Sequence, residues 1–184
     1  GPGEDPRWQA SSIKPKELED DIASTAFFRI GRDNAPSVTL FANPDCPHCH
    51  AAWAQLRPYI DSGKIAVRIV LANPDRTNDA IALLSNPDVE KAWLAGQGSE
   101  DGVPIISAAI IGSPGWRDAS SFLRENNLIA DKYIQALGLP NKAGLPVIVY
   151  AAGGRVYGRE GVTAPADMES SLSGVSGPSE TTGP

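Results

Sequence analysis

The sequence predicts an α/β domain in which a mixed sheet is flanked by helices and interrupted by a helical insertion. Three observations carry this. Apolar, largely β-branched runs at 37–41, 65–71 and 145–151 read as buried strands. Stretches with apolar residues at helical spacing lie between them. Gly153-Gly154 then turns the last strand back on itself as a hairpin. The resulting order is β-β-α-β, a helical block, then α-β-β-α. A parallel pair needs a crossover helix, and an antiparallel hairpin ends the sheet.

The elements follow from local chemistry. Residues 1–13 are rich in Gly, Pro and Ser and are expected to form a loose leader. Lys14–Ala26 reads as a helix, with Pro15 in the first turn, early acids at Glu17, Glu19, Asp20 and Asp21, and Leu18 and Ile22 on one face. A short strand, Phe27–Ile30, completes a lead-in over 14–30. The main domain is expected over 31–173. It begins with the turn Gly31–Pro36, the strand Ser37–Phe41 and a helix from Cys46 to about Ile60, with Pro58 near its end. Ile65–Leu71 is the next strand. An insertion over about 74–130 reads as helices at Asn78–Ser85, Pro87–Ala95 and Arg117–Asn126. A separate helix, Leu128–Leu137, is stopped by Gly138 and Pro140. A last helix is expected at Asp167–Leu172, and residues 174–184 form a flexible tail.

The totals bound the function. At 184 residues, with 41% apolar and 21% charged residues, the chain fits one domain with a sizeable core. A net charge of −6 lacks the basic footprint of a nucleic-acid or anionic-lipid binder. No apolar run reaches the length of a membrane span, so no membrane insertion is expected. No signal peptide is visible, but the opening Gly1-Pro2-Gly3-Glu4 resembles the scar of a cleaved tag, so this absence does not point to the cytosol.

Both cysteines lie in Phe41-Ala42-Asn43-Pro44-Asp45-Cys46-Pro47-His48-Cys49-His50. Two cysteines are too few for a disulfide framework, so their spacing matters. Cys46 falls where a helix begins, and unpaired N–H groups with the helix dipole favour an anion there. The thiolate is such an anion and is the reactive form of cysteine, which makes Cys46 the expected nucleophile. Cys49, one turn in, is shielded and is expected to act as the resolving thiol. The alternatives for an isolated CxxC are a structural disulfide or half a zinc site, but no second CxxC or spaced ligand pair is present. His48 is expected to favour the Cys46 thiolate by hydrogen bond or charge, and Asp45 to oppose it. His50 is expected to face solvent. Cys46, His48, Cys49 and His50 cannot all converge on one ion from a helical turn, so no physiological metal is expected.

The CxxC at a helix N-terminus, together with Gly144-Leu145-Pro146 opening a late strand, resembles the thioredoxin fold. Within it the chain is most similar to the catalytic domain of the bacterial periplasmic disulfide isomerases DsbC and DsbG. The similarity runs from about Leu18 to Ser173. It includes the Leu18–Ile30 lead-in, the approach Val38–Cys49, Lys91-Ala92-Trp93 in the insertion, and Gly144–Val149 with the hairpin Gly153–Gly158. The Pro47-His48 pair between the cysteines resembles the oxidase DsbA instead. Leu145 stands where the isomerases usually carry Thr. Little sequence precedes Leu18 for an N-terminal dimerisation domain, so the chain as given is expected to be a monomer and the isomerase reading is weakened, although a shortened chain would show the same absence.

The resemblance implies a redox-active Cys46–Cys49 disulfide with no other cofactor. It also implies a cis-Pro146 facing the pair and exposing the Leu145 backbone to an extended substrate segment. The acid that thioredoxin buries six residues before its first cysteine is Leu40 here. Trp53, four residues after Cys49, is expected in the core, with fluorescence that reports redox state. The implied activity is a thiol–disulfide oxidoreductase of isomerase or reductase type, acting on exported proteins that carry cysteines or disulfides. A membrane redox partner of DsbD or DsbB type and a periplasmic location go with it. The alternatives are a monomeric DsbA-like oxidase and a chaperone or binding module on the same scaffold.

Overall fold

A computed structural model describes residues 8–44, 46–73, 78–96, 114–140 and 144–161. The elements are β1 (Gln9–Ala10), α1 (Pro15–Ala23), β2 (Phe27–Ile30), β3 (Ser37–Ala42), α2 (Pro47–Asp61), β4 (Ala66–Leu71), α3 (Asn78–Leu84), α4 (Val89–Gly96), α5 (Pro114–Ala136), β5 (Val147–Ala152) and β6 (Arg155–Glu160). The expected helix Asp167–Leu172, the tail and residues 97–113 of the insertion lie outside the described residues.

The strands form one mixed sheet in the order β1-β6-β5-β3-β4-β2. β3 and β4 are parallel, joined by α2 as crossover, and the other pairs are antiparallel. Gly153 and Gly154 both take positive φ (56° and 78°) at the β5–β6 turn, the two-residue geometry that matches strand twist.

Successive side chains of a strand point to opposite faces, and here both faces are covered. Val38, Leu40, Val67, Ile69 and Leu71 meet α2 through Ala52, Trp53 and Leu56, and meet Leu83 and Trp93 of the insertion. Phe41, Val70, Val147 and Val149 meet Leu18 and Ile22 of α1, Ala130 and Tyr133 of α5, and Leu137 just past its end. Trp93 sits edge-on to Trp53 (5.7 Å between ring centroids, 89°) and close to Phe28 (6.0 Å), which docks α4 onto the helix that follows the cysteines. On the second face Arg68 pairs with Glu19 at 2.6 Å, and the Tyr133 hydroxyl donates to Asp21 at 2.8 Å.

Three expectations are corrected. Residues 8–13 are not loose. Gln9 and Ala10 pair with Gly158 and Tyr157, Ser11 bonds Val156 through both its backbone and its side chain, and Trp8 is buried against Tyr150 and the Arg159 guanidinium. The segment has no periodicity of its own; an open sheet edge supplies its backbone partners. Second, α1 stops at Ala23, where the Ser24 hydroxyl turns back to the Asp21 carbonyl.

Third, the helices expected at Arg117–Asn126 and Leu128–Leu137 are one helix, α5. Asn126 and Asn127 look like a break because asparagine is a weak helix former. Their side chains are instead satisfied by distant backbone. Asn126 accepts from Ala26 N (3.0 Å) and donates to Leu71 O (2.9 Å), while Asn127 accepts from Asn73 N (2.8 Å). Asn126 is fully buried. Asn126→Ala strands two of these groups and is expected to cost about 2–3 kcal/mol. Urea unfolding should show this as a lower midpoint at unchanged slope.

Candidate redox site

β3 ends at Ala42, and the loop after it delivers the cysteine pair to the start of α2. Cys46 is the N-cap residue, with extended backbone (φ −91°, ψ 118°), and Pro47 takes the first helical position. Proline fits there because that N–H has no intrahelical partner and its φ is already helical. The loop is tied by the Cys46 N–H to Asn43 O (3.2 Å) and by the His50 N–H to Cys46 O (3.1 Å).

Both cysteines are free thiols. Cys46 is half-buried, and its thiol donates to the Leu145 carbonyl at 3.5 Å, a weak contact that brings the start of the β5 segment against the sulfur. Cys49 is fully buried and accepts the Asn43 N–H at 3.4 Å. Burial pushes the Cys49 thiol far above the ordinary thiol range. The Asn43 N–H acts in the opposite direction, and the neighbouring Cys46 adds to the rise. Cys49 is therefore held in its protonated form. Since only the thiolate reacts, release of a Cys46-linked partner by Cys49 should quicken about tenfold per pH unit across the neutral and mildly alkaline range. Stopped-flow decay of a preformed mixed disulfide measures this slope.

The Leu145–Pro146 bond is cis, Pro146 is buried, and half-buried Leu145 packs against both cores. The segment is held from both sides by the end of β6. Glu160 Oε1 accepts the Gly144 N–H, and the Gly161 N–H donates to Pro146 O, each at 2.9 Å. Sequence reasoning missed Glu160, and a lone acid at the end of a hairpin strand offers no local signal.

The other candidates divide. Leu40 is fully buried, so the apolar position beneath the pair holds no acid. Trp53 is buried in the core beside Cys49. Pro47 and His48 are exposed, and among the described residues no side-chain hydrogen bond joins His48 to Cys46. Asp45 lies outside the described residues. His50 does not face solvent as expected: it is half-buried, with Nε2 at 2.7 Å from Pro44 O. Among the described residues no group of three or more His, Cys, Asp or Glu is placed to hold a metal ion.

No family model matches the chain. Among solved structures, it is similar to the thiol-disulfide exchange protein α-DsbA2 from Wolbachia pipientis, with a TM-score of 0.59 at 18% identity over 86% of this chain and 94% of that one. It is also similar to a periplasmic thioredoxin-like protein from Salmonella enterica serovar Typhimurium, with a TM-score of 0.54 at 15% identity over 80% and 88% of the two chains. The fold is a thioredoxin fold.

In sequence, 81 residues are 36% identical to the thiol:disulfide interchange protein DsbG of Pseudomonas aeruginosa, covering 42% of this chain and 32% of that protein. A stretch of 67 residues is 39% identical to DsbG of Escherichia coli K12, covering 34% and 27%. The chain thus spans about a third of the length of the curated relatives it matches. This is a thioredoxin-fold chain similar over part of its length to thiol:disulfide interchange proteins. No helix among its described residues is long and apolar enough to cross a membrane.

Proposed function

We propose that the chain is a thiol–disulfide oxidoreductase of DsbC/DsbG-like type, acting as isomerase or reductase on exported proteins in a bacterial periplasm. The observation that carries this is the pairing of an accessible sulfur with a buried one. Half-buried Cys46 caps a helix N-terminus and touches Leu145 O, while Cys49 lies buried one turn deeper.

In the reductive direction the Cys46 thiolate attacks one sulfur of a substrate disulfide. A Cys46–substrate disulfide forms, and the other substrate sulfur leaves as a thiolate. Cys49 then loses its proton and attacks Cys46 Sγ. The Cys46–Cys49 bond forms, the second substrate sulfur leaves, and two electrons have passed to the substrate. In isomerisation a different substrate thiolate attacks the substrate sulfur of the Cys46–substrate disulfide, so that a new substrate disulfide forms and Cys46 leaves as the thiolate, with no net transfer. Leu145 supplies backbone for an extended substrate segment beside the sulfur, with Pro146 shaping the loop. A membrane redox partner of DsbD type would return the pair to the dithiol state.

A second reading, a DsbA-like oxidase recharged by a DsbB-type partner, is favoured by Pro47-His48. It runs the same steps in reverse.

The test is glutathione equilibration followed by tryptophan fluorescence, with Trp53 beside the pair as reporter. The proposal expects a reversible two-electron transition. Insulin reduction and recovery of a scrambled substrate then separate reductase or isomerase from oxidase. A chain with no reversible transition would be an inert scaffold or a binding module.

A further inference from the structure

We infer that His50 is a positioning residue for the redox pair: its imidazole grips the loop before Cys46, keeps the Asn43 N–H aimed at the Cys49 sulfur, and so biases the dithiol–disulfide equilibrium. The inference rests on the redox function proposed above and deepens it.

The Pro44 carbonyl can only accept a hydrogen bond, so at 2.7 Å His50 Nε2 carries the proton. That holds for the neutral Nε2–H tautomer and for the imidazolium alike, so the grip survives a change of charge on the ring. The His50 backbone N–H donates to Cys46 O at 3.1 Å. One residue in the first turn of α2 thus holds the loop at two points, Pro44 through its side chain and Cys46 through its backbone.

Upstream, the loop is tied to the sheet, where the Ala72 N–H donates to Ala42 O at 2.9 Å. Within it the Cys46 N–H closes onto Asn43 O, and the Asn43 N–H reaches Cys49 Sγ at 3.4 Å. The contact on the buried sulfur therefore depends on a loop fixed by the sheet at one end and by His50 at the other. Main-chain bonds of the turn remain after any substitution at 50, and only the imidazole bond is lost.

A thiol or thiolate sulfur accepts an N–H better than a sulfur already engaged in a disulfide, because it carries more negative charge. The Asn43 contact accordingly favours the reduced pair. Loosening the loop should disfavour the dithiol and make the disulfide harder to reduce.

The equilibrium read is protein disulfide plus two glutathione thiols giving protein dithiol plus one glutathione disulfide, which balances in atoms and electrons. Loss of one hydrogen bond of ordinary strength predicts that His50→Ala lowers this constant about fivefold. At 29.6 mV per tenfold, that is about 20 mV toward the reducing side. His50→Gln, whose amide N–H can reach the same carbonyl, should recover most of the shift. A His50→Ala variant that loses only thermal stability and keeps the wild-type constant would overturn the inference. So would a His50→Gln variant as displaced as His50→Ala.

Nitrogen-15 NMR of the wild-type imidazole tests the grip without any variant, including the case where His50→Ala does not fold. A proton on Nε2 is expected, and the Nδ1–H tautomer would overturn the inference. If the wild-type pair shows no equilibrium with glutathione, the redox function fails and this bias falls with it. The tautomer then still reports whether the loop is gripped.

Discussion

Cys46→Ser is expected to abolish thiol exchange, with insulin reduction and scrambled-substrate recovery falling at least about a thousandfold, to the uncatalysed level. The serine hydroxyl cannot form the mixed disulfide. Cys49 cannot take over, because it is fully buried and burial holds its thiol protonated. Cys49→Ser should behave differently. Attack by Cys46 survives and resolution is lost, so a substrate adduct on Cys46 accumulates and appears in intact mass spectra as a reducible species. Isomerisation, which can end with a substrate thiol displacing Cys46, should retain more activity than net reduction does. A Cys46→Ser protein with full activity would instead establish a binding module on this scaffold, since fold alone does not decide between them.

Trp93→Ala should be the most destabilising single core change, costing about 3–5 kcal/mol. Trp93 is 1% exposed and wedged between Phe28 of the outer strand β2 and Trp53 of α2, with edge-on geometry to Trp53. Removing it opens a cavity that neither helix can close, because the sheet holds Phe28 and α2 is fixed by Leu56 and Ile60 below. Chemical denaturation measures the loss, and hydrogen exchange over residues 89–96 should show α4 opening first. Trp93→Phe preserves an aromatic edge and should cost roughly half as much. A cost below about 1 kcal/mol for Trp93→Ala would mean that α4 does not share the core. Tryptophan fluorescence in this variant also separates the Trp53 redox signal from its neighbour.

The site was legible in the sequence to the extent that it is local. A cysteine pair spaced for one helical turn, a proline at the first helical position and an apolar strand before them are short-range patterns. They place Cys46 at the cap and Cys49 inside without knowledge of the rest of the chain. The strands β3, β4 and β5 were legible for the same reason, as was the Gly153-Gly154 hairpin. The cis form of Leu145–Pro146 was reached only through family resemblance, because nothing in the local residues distinguishes it from a trans bond.

The failures over Trp8–Ile13 and Asn126-Asn127 share one cause. Trp8 to Ile13 read as leader because the partners that order them lie across the sheet, as in the Ser11 bond to Val156. Asn126-Asn127 read as a break because the carbonyls and N–H groups that satisfy them belong to Ala26, Leu71 and Asn73. His50 read as a surface residue and Glu160 drew no reading at all, yet each holds a backbone segment beside the cysteine pair. The sequence by itself determined β3, β4, β5 and α2, with Cys46 at the helix cap and Cys49 inside, all encoded in spacing and propensity within a turn or two. Tertiary structure alone decided where buried polar groups and sheet edges find partners, because a hydrogen bond made across a hundred residues leaves no periodic mark on either residue that makes it.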